Sequence, residues 1–160
     1  MTARQIANLI DGHGPALVLF ARQWCAVPED VVQDAFCKLA GQSTWPDDPV
    51  AWLFRVVRNR AIDCGKAERR RSRREAAAAR PVRWFAESAV DGLDAEAAVV
   101  ALEGLPADQR EIIVARLWGG MTLEQAAGVA GCSVSSAHRR FEAGIAALRE
   151  KLRVPCPTIE

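Results

Sequence analysis

The chain has 160 residues, with 21 Lys+Arg against 20 Asp+Glu for a formal net charge of +1, and half of its residues are apolar. That length predicts one domain or two small ones, and the composition excludes a collagen-like or largely disordered chain. No run approaches the roughly 18 uninterrupted apolar residues of a membrane-spanning helix, and the opening MTARQIANLIDGHGPALVLFARQWC lacks the make-up of an export signal; a cytoplasmic protein without membrane insertion is expected.

The pattern is helical throughout, because alternating apolar and polar runs are absent and Ala, Leu, Arg and Glu dominate. A first helix is predicted from Ala3 to Leu9, broken at Asp11-Gly12-His13-Gly14, and a second starts at Pro15 with Leu17, Phe20, Ala21 and Trp24 at helical spacing. Pro28-Glu29-Asp30 opens a third, since proline suits the first helical position and acids complement the dipole there. It runs to about Ala40, burying Val31, Val32, Ala35, Phe36 and Leu39 and presenting Glu29, Asp30, Gln33, Asp34 and Lys38.

After the loop from Gly41 to Asp47, Asp48-Pro49 begins a long helix, VAWLFRVVRNRAIDCGKAERRRSRREAAAAR. Trp52, Leu53, Val56, Val57 and Ile62 are read as its core side, with Arg55, Arg58, Asn59 and Arg69 to Arg74 outward. Gly65 inside it is read as loosening the helix, at about 1 kcal/mol relative to alanine. Residues 81–94, rich in breakers, are read as a linker in which Trp84 and Phe85 dock on something. Four further helices are predicted, over about 95–103, 107–118, 123–130 and 134–152, with Gly119-Gly120 closing the second. The tail Val154-Pro155-Cys156-Pro157 cannot continue a helix. The reading is therefore all-α: two small helical domains, 1–80 and 95–160, joined by the linker.

The balanced charge hides segregation. From Arg55 to Arg83 there are eleven basic residues against three acids, and from Trp84 to Glu111 seven acids against one base. Dense arginine beside aromatic residues is the footprint of a polyanion-binding surface, because arginine forks onto phosphate and stacks on bases. The five cysteines, Cys25, Cys37, Cys64, Cys132 and Cys156, are scattered without a C-x-x-C pair, and His13 and His138 lie at no ligand spacing. They read as reduced, mostly packing thiols, and no metal, cofactor or catalytic residue is expected.

The stretch MTLEQAAGVAGCSVSSAHRRFEAGIAALREKL has the anatomy of a helix-turn-helix. Thr122 with Gln125 makes a capping box, Gly131 supplies a left-handed turn, and Ser133 caps the second helix. Ala137 and Phe141 face inward there, while Ser135, Ser136, His138 and Arg139 lie where a recognition helix meets base edges and phosphates.

With these residues in place, the chain resembles the bacterial sigma factors of the sigma-70 superfamily, extracytoplasmic-function (ECF) type. PEDVVQDAFCKLA resembles the family's core-polymerase-binding helix. DPVAWLFRVVRNRAID, with the arginine run after it, resembles the helix that opens and reads the minus-ten element. LPADQREIIVARLWGGMTLEQAAGVAGCSVSSAHRRFEAGIAALREKL resembles the region that reads the minus-thirty-five element.

The resemblance implies that Glu29, Asp30, Gln33 and Asp34 contact polymerase while Val32 and Phe36 hold their helix, and that Trp52 packs. It places Asn59 at a flipped base and Arg55, Arg58 and Arg60 on strand phosphates, with Arg69, Arg70 and Arg71 continuing that basic face. It assigns Ser136, His138, Arg139 and Arg140, beside Ser133 and Ser135, to minus-thirty-five DNA. Ala126 and Ala137 stand where the family usually carries larger aliphatics, so an under-filled helix-turn-helix core is expected, and Glu142 and Ala143 stand where a base or an aromatic residue often helps hold DNA. The expected function is a sigma factor that directs core RNA polymerase to promoter DNA, double-stranded and melted, with an anti-sigma factor as a further partner. The rival expectation is a sigma-like DNA-binding regulator that does not act through polymerase, and a nucleic-acid enzyme is disfavoured because no acid cluster or paired nucleophile is present.

Overall fold

The computed structural model describes residues 3–75, 98 and 100–152, and among the described residues all regular structure is helical. The helices are α1 (Ala3–Ala21), α2 (Pro28–Ala40), α3 (Pro49–Glu75), α4 (Ala107–Leu117), α5 (Leu123–Ala130) and α6 (Val134–Leu152), with a short helical stretch over 100–103 before α4. The all-α expectation holds. The linker with Trp84 and Phe85, the end of the arginine run at Arg80 and Arg83, and the tail with Cys156 lie outside the described residues.

The predicted break at Asp11 to Gly14 is absent, for α1 runs through Pro15 in one piece. Proline removes a backbone donor and crowds the preceding turn, which ordinarily ends or kinks a helix. Here apolar residues on both sides of Pro15 share one face: Ile6 and Leu9 pack on the core before it, and Leu17, Phe20 and Ala21 are wholly buried after it. Tertiary packing on both sides of the proline outweighs the local defect.

Helix α2 starts as predicted, with Pro28 in its first turn beside Glu29 and Asp30, and buries Val31, Val32, Ala35, Phe36 and Leu39. Helix α3 is capped by Asp48, whose Oδ1 accepts from Ala51 N–H at 2.9 Å. Its fully buried positions are Leu53, Phe54, Val57 and Ala61, with Gly65 next in line, so the core stripe is turned from the predicted one toward Phe54 and Ala61. Trp52 and Val56 pack only partly against the core. Gly65 does not loosen the helix: a Cβ there would collide with the Trp24 carbonyl oxygen, so glycine is what lets α3 pass the loop between α1 and α2.

Helices α1, α2 and α3 pack on one another, as do α4, α5 and α6, and the two groups also meet, α3 against α5 and α1 against α4. One apolar cluster runs across both groups, from Leu17, Phe20, Leu53, Phe54 and Val57 to Ile112, Ala115, Met121 and Ala127. A second, smaller cluster of Leu102, Leu105 and Ile113, backed by Phe141, Ile145 and Leu148, belongs to the C-terminal group alone.

Candidate functional site

The acidic face of α2 forms as the sequence suggests. Glu29, Asp30, Gln33 and Asp34 are all exposed while the opposite side is buried. Two of the carboxylates have cationic neighbours: Arg22 Nη2 lies 3.0 Å from Glu29 Oε1, and Arg60 Nη2 lies 3.6 Å from Asp34 Oδ2. Glu29's own backbone N–H at the helix start, helped by Arg22, holds its carboxyl below the ordinary carboxylate range. A groove between α2 and α3 takes in Asp30, Gln33 and Asp34 on one wall and Arg60, Asp63 and Cys64 on the other.

The cationic side of α3 divides in two. Arg55, Asn59, Arg60, Arg69, Arg70 and Arg71 are exposed, and Arg69 Nε donates to the Gly65 carbonyl at 3.1 Å. Arg58 is different. The sequence reading turns it outward, but the structure holds it between the two helical groups: its guanidinium stands 6.0 Å over the Trp24 ring and forks onto Glu111 of α4, with Nη2 3.4 Å from Oε2. The rotation of the core stripe toward Phe54 carries Arg58 to the edge of the seam. Glu111, the partner it finds there, is only 5% exposed.

The helix-turn-helix is built from α5, the Gly131 turn and α6. Thr122 and Gln125 form a full capping box, Gln125 N–H donating to Thr122 Oγ1 at 3.2 Å and Thr122 N–H to Gln125 Oε1 at 2.8 Å. Gly131 takes φ +68°, the left-handed region that glycine enters without cost. Ser133 caps α6, accepting from Ser136 N–H at 3.2 Å and donating to Ser136 Oγ at 2.9 Å, so both hydroxyls are engaged in the cap.

Ser135, His138 and Arg139 stand exposed on α6, with His138 Nε2 3.6 Å from Glu142 Oε1. Arg140 is turned back toward α4, its Nε 3.1 Å from Asp108 Oδ2. Ala126 and Ala137, expected to under-fill this core, are both 0% exposed. The capping box has a second use that local reading missed: Gln125 Nε2 donates to Asp48 Oδ2 at 2.6 Å, tying the start of α5 to the start of α3. Asp48 and Gln125 are legible as caps, but nothing in either local pattern signals a contact across 77 positions.

No group of His, Cys, Asp and Glu among the described residues is arranged to hold a metal ion. The four described cysteines are free thiols; Cys25 is buried, Cys64 and Cys132 are half-buried, and Cys37 is exposed rather than packed.

Residues 9–75 match the family model described as Sigma-70 region 2, and residues 95–148 match Sigma-70, region 4. The chain belongs to the sigma-70 superfamily, ECF type. Region 2 therefore contains α2, α3 and most of α1, and region 4 contains α4, α5 and most of α6.

Among solved structures, the sigma factor RpoE of Bartonella quintana, in complex with the anti-sigma factor NepR, is 26% identical with a TM-score of 0.71, over 97% of this chain and 100% of that one. CnrH, in complex with the cytosolic domain of CnrY, is 28% identical with a TM-score of 0.61, over 97% and 92%. The probable RNA polymerase sigma factor RfaY of Xanthomonas campestris pv. campestris is 30% identical over 147 residues, 86% of this chain and 37% of that protein. The chain thus spans little more than a third of the length of that curated relative. Among the described residues no helix is long and apolar enough to cross a membrane.

Proposed function

We propose that the chain is a promoter-specificity subunit: it binds core RNA polymerase and directs it to a class of promoters, without catalytic chemistry of its own and in the cytoplasm. Glu29, Asp30, Gln33 and Asp34 of α2 are the polymerase-contacting face. Asn59 with Arg55, Arg58, Arg60, Arg69, Arg70 and Arg71 holds the melted minus-ten strand, since a base drawn from the stack needs a polar pocket and the displaced strand needs cations.

Ser135, His138 and Arg139 read the minus-thirty-five duplex from α6, with Ser133 and Ser136 placing the helix start and Arg140 steadied by Asp108. The working domains are 1–80 and 95–160, with 81–94 between them. RpoE and CnrH were each solved with a partner protein, named an anti-sigma factor in the first case; a partner of that kind is proposed for this chain.

The observation that carries the reading is the order of the two family matches, together with an acidic exposed face on α2 that precedes the cationic face of α3. Reversing Glu29, Asp30 and Asp34 to lysine is expected to lower retention on core polymerase by about tenfold or more, since like charges set face to face are strongly disfavoured, and to abolish promoter-dependent transcripts in vitro. Retained DNA-dependent regulation with no loss of transcript would instead favour a regulator that does not act through polymerase. Mapping transcript starts after induced expression would identify the shared promoter elements.

A further inference from the structure

We propose that Glu142 is a specificity-determining residue of α6: clipped by His138, its carboxylate accepts from the amino group of one cytosine in the minus-thirty-five duplex. The proposal rests on the reading of α6 as the helix that meets that duplex, and it adds the base that one position of the element carries.

Few polar groups of α6 are left to meet DNA. Ser133 and Ser136 are engaged in the cap, and Arg140 is turned back onto Asp108. The polar side chains presented over the first turns are Ser135, His138, Arg139 and Glu142, all exposed. Their spacing is i, i+3, i+4 and i+7, which keeps them on one side of the helix, as in a helix laid in a major groove with its first turns against the base edges. Glu142 is the one carboxylate in that set. The next acid of α6, Glu150, lies more than two turns further along.

A carboxylate brought against DNA is repelled by phosphate and gains only where a donor meets it. In the major groove the donors are the amino groups of cytosine and adenine. Adenine sets the acceptor N7 beside its amino group, where it would face the second carboxylate oxygen, and cytosine sets no acceptor there. Guanine offers only acceptors, and thymine an acceptor and a methyl group. Cytosine is therefore the base that this side chain selects.

His138 is a positioning residue for that contact. Its Nε2 stands 3.6 Å from Glu142 Oε1, one turn away on the same face, with both side chains more than half exposed. An ionised carboxylate only accepts, so the imidazole nitrogen that faces it carries the hydrogen. The contact holds Glu142 in one arrangement and leaves Oε2 to face a base. An exposed pair at i, i+4 adds little to helix stability, so its main effect is on what α6 can meet.

The test uses core RNA polymerase carrying the full chain, with a pool of duplexes in which a randomised upstream segment precedes a fixed, unpaired bubble, so that capture does not depend on melting. Captured DNA is sequenced for the parent, Glu142→Gln, Glu142→Ala, His138→Ala and, as a charge-matched control, Glu150→Gln. Every substituted side chain is exposed, so each variant is expected to fold.

The parent is expected to enrich one C·G pair by about fivefold or more, the lower end of what a good base-edge contact discriminates. Glu142→Gln is expected to move that one position to A·T, because an amide offers a donor and an acceptor to adenine N7 and N6. Glu142→Ala removes the preference there and keeps it elsewhere, His138→Ala reduces it without changing the base, and Glu150→Gln matches the parent. Identical base preferences in the parent and both Glu142 variants overturn the proposal and leave Glu142 a solvated partner of His138. A cytosine preference that Glu142→Ala loses and His138→Ala leaves whole overturns the clip. A parent that captures DNA through the bubble with no preference at any upstream position overturns the assignment of α6 to the minus-thirty-five duplex, and this inference with it.

Discussion

Cys37 and Cys25 sit 12 positions apart and have opposite chemical prospects. Cys25 is 3% exposed, its Sγ 3.5 Å from the Ala21 carbonyl, and burial pushes its thiol up to about 11. The thiolate is the reactive form, so a thiol that stays protonated and covered is inert. Cys37 is exposed in the groove wall beside Asp34. Iodoacetamide at mildly alkaline pH is therefore expected to label Cys37 in the native protein well ahead of Cys25, as read by peptide mass spectrometry; equal rates would contradict the burial described.

The sign of the alkaline effect follows from the same shift. The unfolded thiol ionises near 9.0 and the folded one near 11, so the native state loses stability as pH rises through that interval. Glu29 acts at the other end of the scale: its lowered pKa contributes stability at neutral pH that is lost as pH falls below the ordinary 4.5.

At the scale of the helix, Gly65 is decided by what it touches. Alanine is the better helix former by about 1 kcal/mol, yet a Cβ at this position meets the Trp24 backbone, which cannot move aside as a flexible side chain does. Gly65→Ala is expected to lower stability by about 1–3 kcal/mol, the usual range for overpacking, measured by chemical denaturation. A neutral or stabilised variant would show that α3 does not need that close approach.

The same helix shows how far the sequence could be read. Its start at Asp48 and its exposed arginines through Arg71 follow from local chemistry, as do the proline start of α2 and the capping box and glycine turn of the helix-turn-helix. Its rotation does not: Ala61 and Gly65 carry too little apolar area to mark the buried stripe, so Trp52, Val56 and Ile62 drew the reading toward the wrong side of Phe54. The break predicted before Pro15 failed for a related reason, since the packing of Leu17 and Phe20 is supplied by residues far along the chain. Arg58 was legible as a cation and Glu111 as an acid, but their meeting across 53 positions has no local sign.

For the molecule as a whole, Phe54 is the side chain on which the two helical groups converge. It is fully buried, stands edge-on to Phe20 at 5.0 Å, and lies against the backbone at Gly119. Phe54→Ala is expected to cost about 3–5 kcal/mol, the range for truncating a buried aromatic residue, seen as a shifted denaturation midpoint. A loss below about 0.5 kcal/mol, the level of an ordinary surface change, would mean that the seam is not part of the folded core.

The route by which that seam closes has its own consequence during synthesis. The face of α3 around Phe54 is made early, but Gly119 and α5, which cover it, are made some 60 residues later. At bacterial translation rates of about 5–20 residues per second, the nascent N-terminal helices wait several seconds with part of that apolar face uncovered. The growing chain is then a substrate for any factor that binds exposed apolar helices, and a slow stretch of codons between the two helical groups would lengthen that exposure without altering a single residue of the finished protein.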